Sequence, residues 1–125
     1  MRAISIRQPY AWLVVTGKKD IENRPWNTHH RGPLAIHAGL KRLPKNDLEE
    51  IERTYRVRIP EEELRRGGII GVVDVVDVVT SHKSKWFEGG YGWVLRNARR
   101  TQFLPITGRL GFIQVDERKL RFVKP

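Results

Sequence analysis

The sequence predicts an α+β fold: a twisted mixed sheet of about six strands closing into a small β-barrel, with two main helices, all in one domain over residues 1–125. Three observations carry this. The strand segments do not alternate regularly with helices, which argues against a doubly wound parallel sheet. One long segment, Ile69 to Val79, is apolar on both faces of a strand, as expected where a barrel wall is also covered by a helix. The chain is 39% hydrophobic and holds four Trp and four Phe but no Cys, so a core and not a disulfide or zinc framework must hold it together.

Ala3 to Ile6 is short and alternating, the first strand. Gln8-Pro9 opens a helix over Tyr10 to Thr16, since proline suits the first helical position, and Gly17 ends it. Asp20 to Trp26 reads as a strand that Pro25 places at an edge, and Asn27 to Arg31 as an exposed turn. Gly32-Pro33 leads into the buried strand Leu34 to Ala38, closed by Gly39. Pro44 to Val57 is helical, with Leu48, Ile51 and Tyr55 on one face, and Glu61 to Arg66 is a further helical turn stopped by Gly67-Gly68. In the long strand that follows, Gly71 marks a bulge or bend, and Asp74 and Asp77 fall on opposite faces. Ser81 to Gly90 is a polar loop, Tyr91 to Asn97 a strand, Pro105 to Gly108 a turn and Leu110 to Val115 the last clear strand; the basic tail adds at most one short strand.

Charge narrows the function. Lys and Arg number 24 against 14 Asp and Glu, a net charge of +10, which attracts polyanions, and RNA or DNA is the commonest inside cells. No run of 18 apolar residues and no apolar leader is present, and with zero Cys this points to a cytoplasmic protein with no membrane partner. His29, His30, His37 and His82 lack metal-ligand spacing, so neither a metal nor another cofactor is expected, and His37 reads as an interior histidine. A monomer is favoured.

The densest stretch is Ser5 to Gly39. In an extended chain Asp20, Glu22 and Arg24 share one face and Lys19, Ile21 and Asn23 the other. Glu22 can then hold the Arg24 guanidinium in a fixed orientation for phosphate or a guanine edge. Lys19, just after Gly17, reaches into a cleft as a phosphate donor, or as a nucleophile or base. Ser5, Arg7 and Gln8 face the same cleft from the end of the first strand; Gln8 reads a base edge or caps the helix. Trp86, beside Lys83, Lys85 and Phe87, stacks on a base or packs over the barrel mouth. Ser81 and Glu88 bracket that loop, and Glu88 is a candidate general acid or base.

The pattern G-x-K-x-x-E-x-R, met by Gly17, Lys19, Glu22 and Arg24, resembles the signature of the ASCH domain, named for activating signal cointegrator-1 homology. So do Ser5-Ile-Arg-Gln-Pro-Tyr-Ala11, Arg31-Gly-Pro-Leu-Ala-Ile-His-Ala38, the valine-rich strand, the Trp/Phe loop, Tyr91-Gly-Trp93 and Pro105-Ile-x-Gly108, a resemblance spanning about Met1 to Val115. It implies a PUA-like barrel that binds RNA or DNA, or a nucleotide-like small molecule. It also implies an alternative: a small hydrolase, either an amidohydrolase acting on N4-acetylcytidine through a Lys, a Thr and a Glu, or a ribonuclease. The amidohydrolase lysine matches Lys19, whereas its threonine falls at Glu22, so the sequence departs from that triad. In the hydrolase reading Lys19, Glu22 and Glu88 are the catalytic candidates. In the binding reading the contacts are Ser5, Arg7, Gln8, Lys19, Arg24, Ser81, Lys83, Lys85 and Trp86. A third reading is a protein-interaction domain, which would expose an apolar patch.

Overall fold

In a computed structural model, which describes residues 1–124, the chain forms β1 (Arg2–Gln8), α1 (Tyr10–Val15), β2 (Ile21–Arg24), β3 (Gly32–Arg42), α2 (Lys45–Tyr55), β4 (Gly68–Val79), β5 (Tyr91–Pro105) and β6 (Phe112–Gln114). Single 3₁₀ turns at Glu61–Glu63 and Glu117–Lys119 complete it. The six strands lie in one sheet in the order β2-β5-β4-β3-β1-β6. Only β1 and β3 are parallel, with Ala3 opposite Ala35; every other pairing is antiparallel.

The α+β architecture is as the sequence predicts, with one difference: the sheet does not close. Its edge strands β2 and β6 form no ladder with each other. An aromatic cluster fills the space between them instead. Trp26, just past β2, meets Trp93 of β5 at 4.9 Å and Phe112 of β6 at 5.7 Å between ring centroids, both edge-to-face, a geometry the ring quadrupoles favour. The seam stays open along β1. Strand β6 pairs only with Arg2, Ala3 and Ile4, so the outer edge of Ser5 to Gln8 has no strand beside it.

Helix α1 is too short to stand alone and is fixed by burial. Its residues Ala11 to Val15 are all buried, so it is apolar on every side, as a helix between two layers must be. Ala11, Val14 and Val15 pack on the sheet with Ile36, Val73 and Trp93; Trp12 and Leu13 pack outward with Leu48 and Ile51 of α2, Leu64 and Trp86. The helix approaches so closely that a Cβ on Gly71 would lie 2.6 Å from Val15 Cβ, and the ladders on both sides of Gly71 shift register there. Glycine at 71 thus serves a bulge and a close helix contact together.

Strand β5 runs on to Pro105, beyond the Asn97 expected from sequence. It stays paired with β4 through register shifts, and its second half shows exposed Arg and Gln side chains, which hid the strand from a hydrophobic pattern. Strand β4 is buried on both faces only in its first half; Val76 near its end is 48% exposed. Among the described residues the tail contributes a single bridge, Thr101 to Phe122.

Candidate nucleotide cleft

The cleft lies on the open seam. Its walls are Ser5, Ile6 and Arg7 of β1, Tyr10 of α1, Lys19, and Glu22, Asn23 and Arg24 of β2, with Glu88 at the rim, enclosing about 370 Å³. Strands β1 and β2 sit at opposite sides of the sheet order and meet here only because the sheet curls.

Lys19 enters the cleft through the end of α1. Gly17 takes φ +79°, and the N–H groups of Lys18 and Lys19 both donate to Leu13 O, at 3.0 and 2.9 Å. This folded-back helix end leaves Lys19 before the strand begins, so strand alternation does not apply to it. Its side chain, 5% exposed, swings to the Glu22 side, contrary to the extended-chain expectation of opposite faces. Lys19 Nζ donates to Ile21 O and lies 3.4 Å from Glu22 Oε1. The rings of Tyr10 and Trp86 flank the ammonium at 5.5 and 5.9 Å, within the range of cation–π attraction.

Glu22 and Arg24 share a face of β2, as alternation predicts, and they pair. Arg24 Nε lies 2.9 Å from Glu22 Oε2 but off the hydrogen-bond direction, so the contact is ionic, while Arg24 Nη2 donates to Ser5 O at 3.0 Å. Arg24 thereby crosses the seam and takes one carbonyl that the missing strand leaves free. Glu22 ends up between two cations, each near a different carboxylate oxygen. The array thus carries a net positive charge, and Arg7 adds a second cation that offsets Glu88 at the rim; Arg7 is exposed and pairs with no acid among the described residues. Burial pushes the Tyr10 phenol above its ordinary value of 10.0, and the negative charges of Glu88, Asp47 and Glu22 add to this, so the cleft presents a neutral hydroxyl. The Tyr55 phenol is raised by burial, then by the charge of Glu88 and the hydrogen bond it donates to Glu88 Oε1 at 3.2 Å.

Two expected contacts take other roles. Gln8 is fully buried, with Nε2 donating to Arg65 O at 2.8 Å and Oε1 accepting from the Trp12 N–H at 2.9 Å. Oε1 takes a free N–H in the first turn of α1 and Nε2 ties the strand end to Arg65, so Gln8 acts as a helix cap and lies outside the cleft lining. Trp86 is 3% exposed, stacked on Tyr55 at 3.9 Å, with Nε1 donating to Lys18 O at 2.9 Å. It packs under the loop and offers no face to a base.

The Ser81–Gly90 segment is fastened to the Lys18–Asn23 segment. Ser84 Oγ donates to Asp20 Oδ1 at 2.6 Å, Asn23 Nδ2 donates to Trp86 O at 2.9 Å, and the Glu88 N–H donates to Asn23 Oδ1 at 3.0 Å. These bonds carry Glu88 to the rim. Ser81 and Lys83 are exposed away from the cleft, and Lys85 Nζ donates to Tyr55 O at 2.8 Å. Ser5 sits on the floor beside the interior His37, which is 1% exposed. His37 Nε2 lies 2.7 Å from Ile106 O, a pure acceptor, so Nε2 carries the proton and, in the neutral ring, Nδ1 accepts from Ser5 Oγ at 3.0 Å. Sequence reasoning missed Tyr10 and Asn23 as cleft residues; Asn23 lies within the motif on β2, where its place between Glu22 and Arg24 was the available signal, whereas Tyr10 reaches the cleft from the start of α1.

Comparison with known proteins gives the family. Activating signal cointegrator 1 from Homo sapiens is 35% identical over 88 residues, 66% of this chain and 15% of that protein. The same protein from Mus musculus is 37% identical over 83 residues, 62% of this chain and 14% of that one. The chain thus spans about 15% of the length of these curated relatives. A crystal structure of a mutant of ZmASCH, from Zymomonas mobilis, superposes with a TM-score of 0.57 at 12% identity, covering 93% of this chain and 90% of that one, which shows a shared fold. The family model described as the ASCH domain matches residues 4–104, so the chain belongs to the ASCH domain family, with its PUA-like fold.

Proposed function

We propose that the protein binds nucleic acid, RNA before DNA, by holding one nucleotide in the seam cleft. The observation that carries this is the Lys19–Glu22–Arg24 array: a buried carboxylate holding two cations at the wall of a nucleotide-sized recess. Such an array fixes N–H donors in advance, which suits phosphate or the edge of a base. Arg7 at the mouth and the net charge of +10 supply long-range attraction.

Binding is favoured over hydrolysis by how Lys19 is used. Its Nζ donates to a backbone carbonyl and faces a carboxylate, whereas a nucleophile or base must turn a lone pair toward substrate. Glu22, which stands where the amidohydrolase threonine falls, is occupied by Lys19 and Arg24.

Fluorescence anisotropy with labelled single-stranded RNA and DNA tests the reading. Binding that weakens steeply with salt, and that falls by tenfold or more in Arg24→Lys, is expected. No binding at low salt, or binding indifferent to salt, sinks it. Turnover of N4-acetylcytidine or cleavage of RNA that disappears in Lys19→Met would favour the hydrolase instead.

A further inference from the structure

A second, larger cavity adjoins the cleft. It encloses about 660 Å³ and shares Ser5, Arg7 and Arg24 with the cleft as a common wall. Most of the rest of its lining comes from the end of β3, Gly39 to Lys41, and from the loop Ile106 to Gly111 that precedes β6, with Ile4, His37 and Gly67 completing it. The loop lies directly on His37: Ile106 O faces His37 Nε2 at 2.7 Å, and a Cβ on Gly108 would come within 2.6 Å of the ring. Gly39 likewise keeps the floor clear beside Ser5 Oγ, 3.1 Å from where its Cβ would be.

The lining has one sign of charge. Arg7, Arg24, Lys41 and Arg109 contribute to it, and no carboxylate does. Arg7, Lys41 and Arg109 have no acidic partner among the described residues. Cations brought together without a counter-charge repel one another, an arrangement that an anion relieves. Leu40 and Leu110, 75% and 97% exposed, stand beside these cations. Cations interleaved with apolar side chains match a chain of phosphates carrying flat apolar bases.

We propose, building on the nucleotide reading above, that the ligand is a single strand of several nucleotides and that this cavity carries its phosphodiester backbone next to the nucleotide in the cleft. The shared wall makes the path continuous: a phosphate at Arg7 and Arg24 serves both spaces, and the next phosphates meet Lys41 and Arg109. A duplex does not fit this path, because its bases are stacked inside and cannot enter a recess without flipping. The shared chemistry is that of single-stranded RNA or DNA; the sugar is left to the experiment.

The test compares a mixed-sequence RNA octamer, the matching DNA octamer, their duplexes and nucleoside 5′-monophosphates, by anisotropy and competition at several salt concentrations. The variants are the double substitution Lys41→Ala with Arg109→Ala and its charge-reversed form to Glu. Both side chains are exposed, so neither substitution removes a core contact, and a melting curve of each variant accompanies the titrations. The octamer is expected to outbind the monophosphate by at least tenfold. The double variant should lose at least tenfold on the octamer, lower the salt slope by about 1.4 for two contacts on a single strand, and leave monophosphate binding unchanged. Tighter binding of either the RNA or the DNA octamer supports the inference and assigns the sugar. Equal binding of octamer and monophosphate, an unaltered octamer affinity in both variants, or a duplex that binds more tightly than its single strands overturns it and leaves the cleft reading intact. If no nucleotide or oligonucleotide binds the wild type, both readings fall.

Discussion

Replacing Glu22 by Gln tests the centre of the site. Gln keeps the shape and one acceptor oxygen but removes the charge that separates Lys19 from Arg24. The side chains of Lys19, Glu22 and Arg24 are 5%, 11% and 22% exposed, so solvent screens the remaining cations only in part. Breaking a fully buried pair by removing one charge costs about 3–5 kcal/mol. Partial exposure of Arg24 brings the expectation here down to about 2–3 kcal/mol. At about 4 °C per kcal/mol for a chain of this size, Tm should fall by about 8–12 °C. The same substitution leaves two cations unmatched, so added inorganic phosphate should raise Tm more in the variant than in the wild type. Differential scanning fluorimetry with a phosphate titration measures both effects. A Tm within 2 °C of wild type, or an equal response to phosphate, would refute the claim that Glu22 holds the two cations.

The remaining predictions concern stability and pH. Trp86→Ala should destabilise by about 3–5 kcal/mol in denaturant melts, because it empties a buried site stacked on Tyr55; a small effect would mean that the ring is free for ligand. Gln8→Ala should cost about 2–3 kcal/mol by orphaning the Trp12 N–H and Arg65 carbonyl. Gly71→Ala should cost about 1–3 kcal/mol, since the new methyl meets Val15. Tyr10 and Tyr55 hold their protons more tightly folded than unfolded, so the stability they contribute is present below pH 10 and is lost as pH rises from there through their raised values. Tyr10→Phe with Tyr55→Phe should therefore flatten the alkaline limb of Tm against pH; an unchanged limb counts against it.

Much of this arrangement was legible because it is local. Alternation along β2 put Glu22 and Arg24 on one face, and the glycine after α1 marked the helix end. Lys19 was misplaced because the folded-back helix end breaks the alternation before the strand starts. Trp86 read as a loop residue because its neighbours are lysines and a phenylalanine; its burial depends on Tyr55 from α2, a partner that no local pattern reveals. Gln8 is polar yet fully buried because α1 needs a cap at that depth. The extent of β5 beyond Asn97 was hidden by its exposed arginines. The open seam was also hidden, since closure depends on how far β6 reaches along β1, and only Arg2 to Ile4 are covered.

That seam has a mechanical consequence. At one end of the gap the edges are locked by the packed rings of Trp26, Trp93 and Phe112. Further along, the one hydrogen bond seen to cross between β1 and β2 runs from Arg24 to the carbonyl of Ser5. Widening the aperture there breaks one charge-assisted bond and no ladder, while the aromatic end holds still. The gap is therefore stiff at its aromatic end and held by one side-chain bond further along, a compliance that the proposed nucleotide binding would use to accept guests of different width.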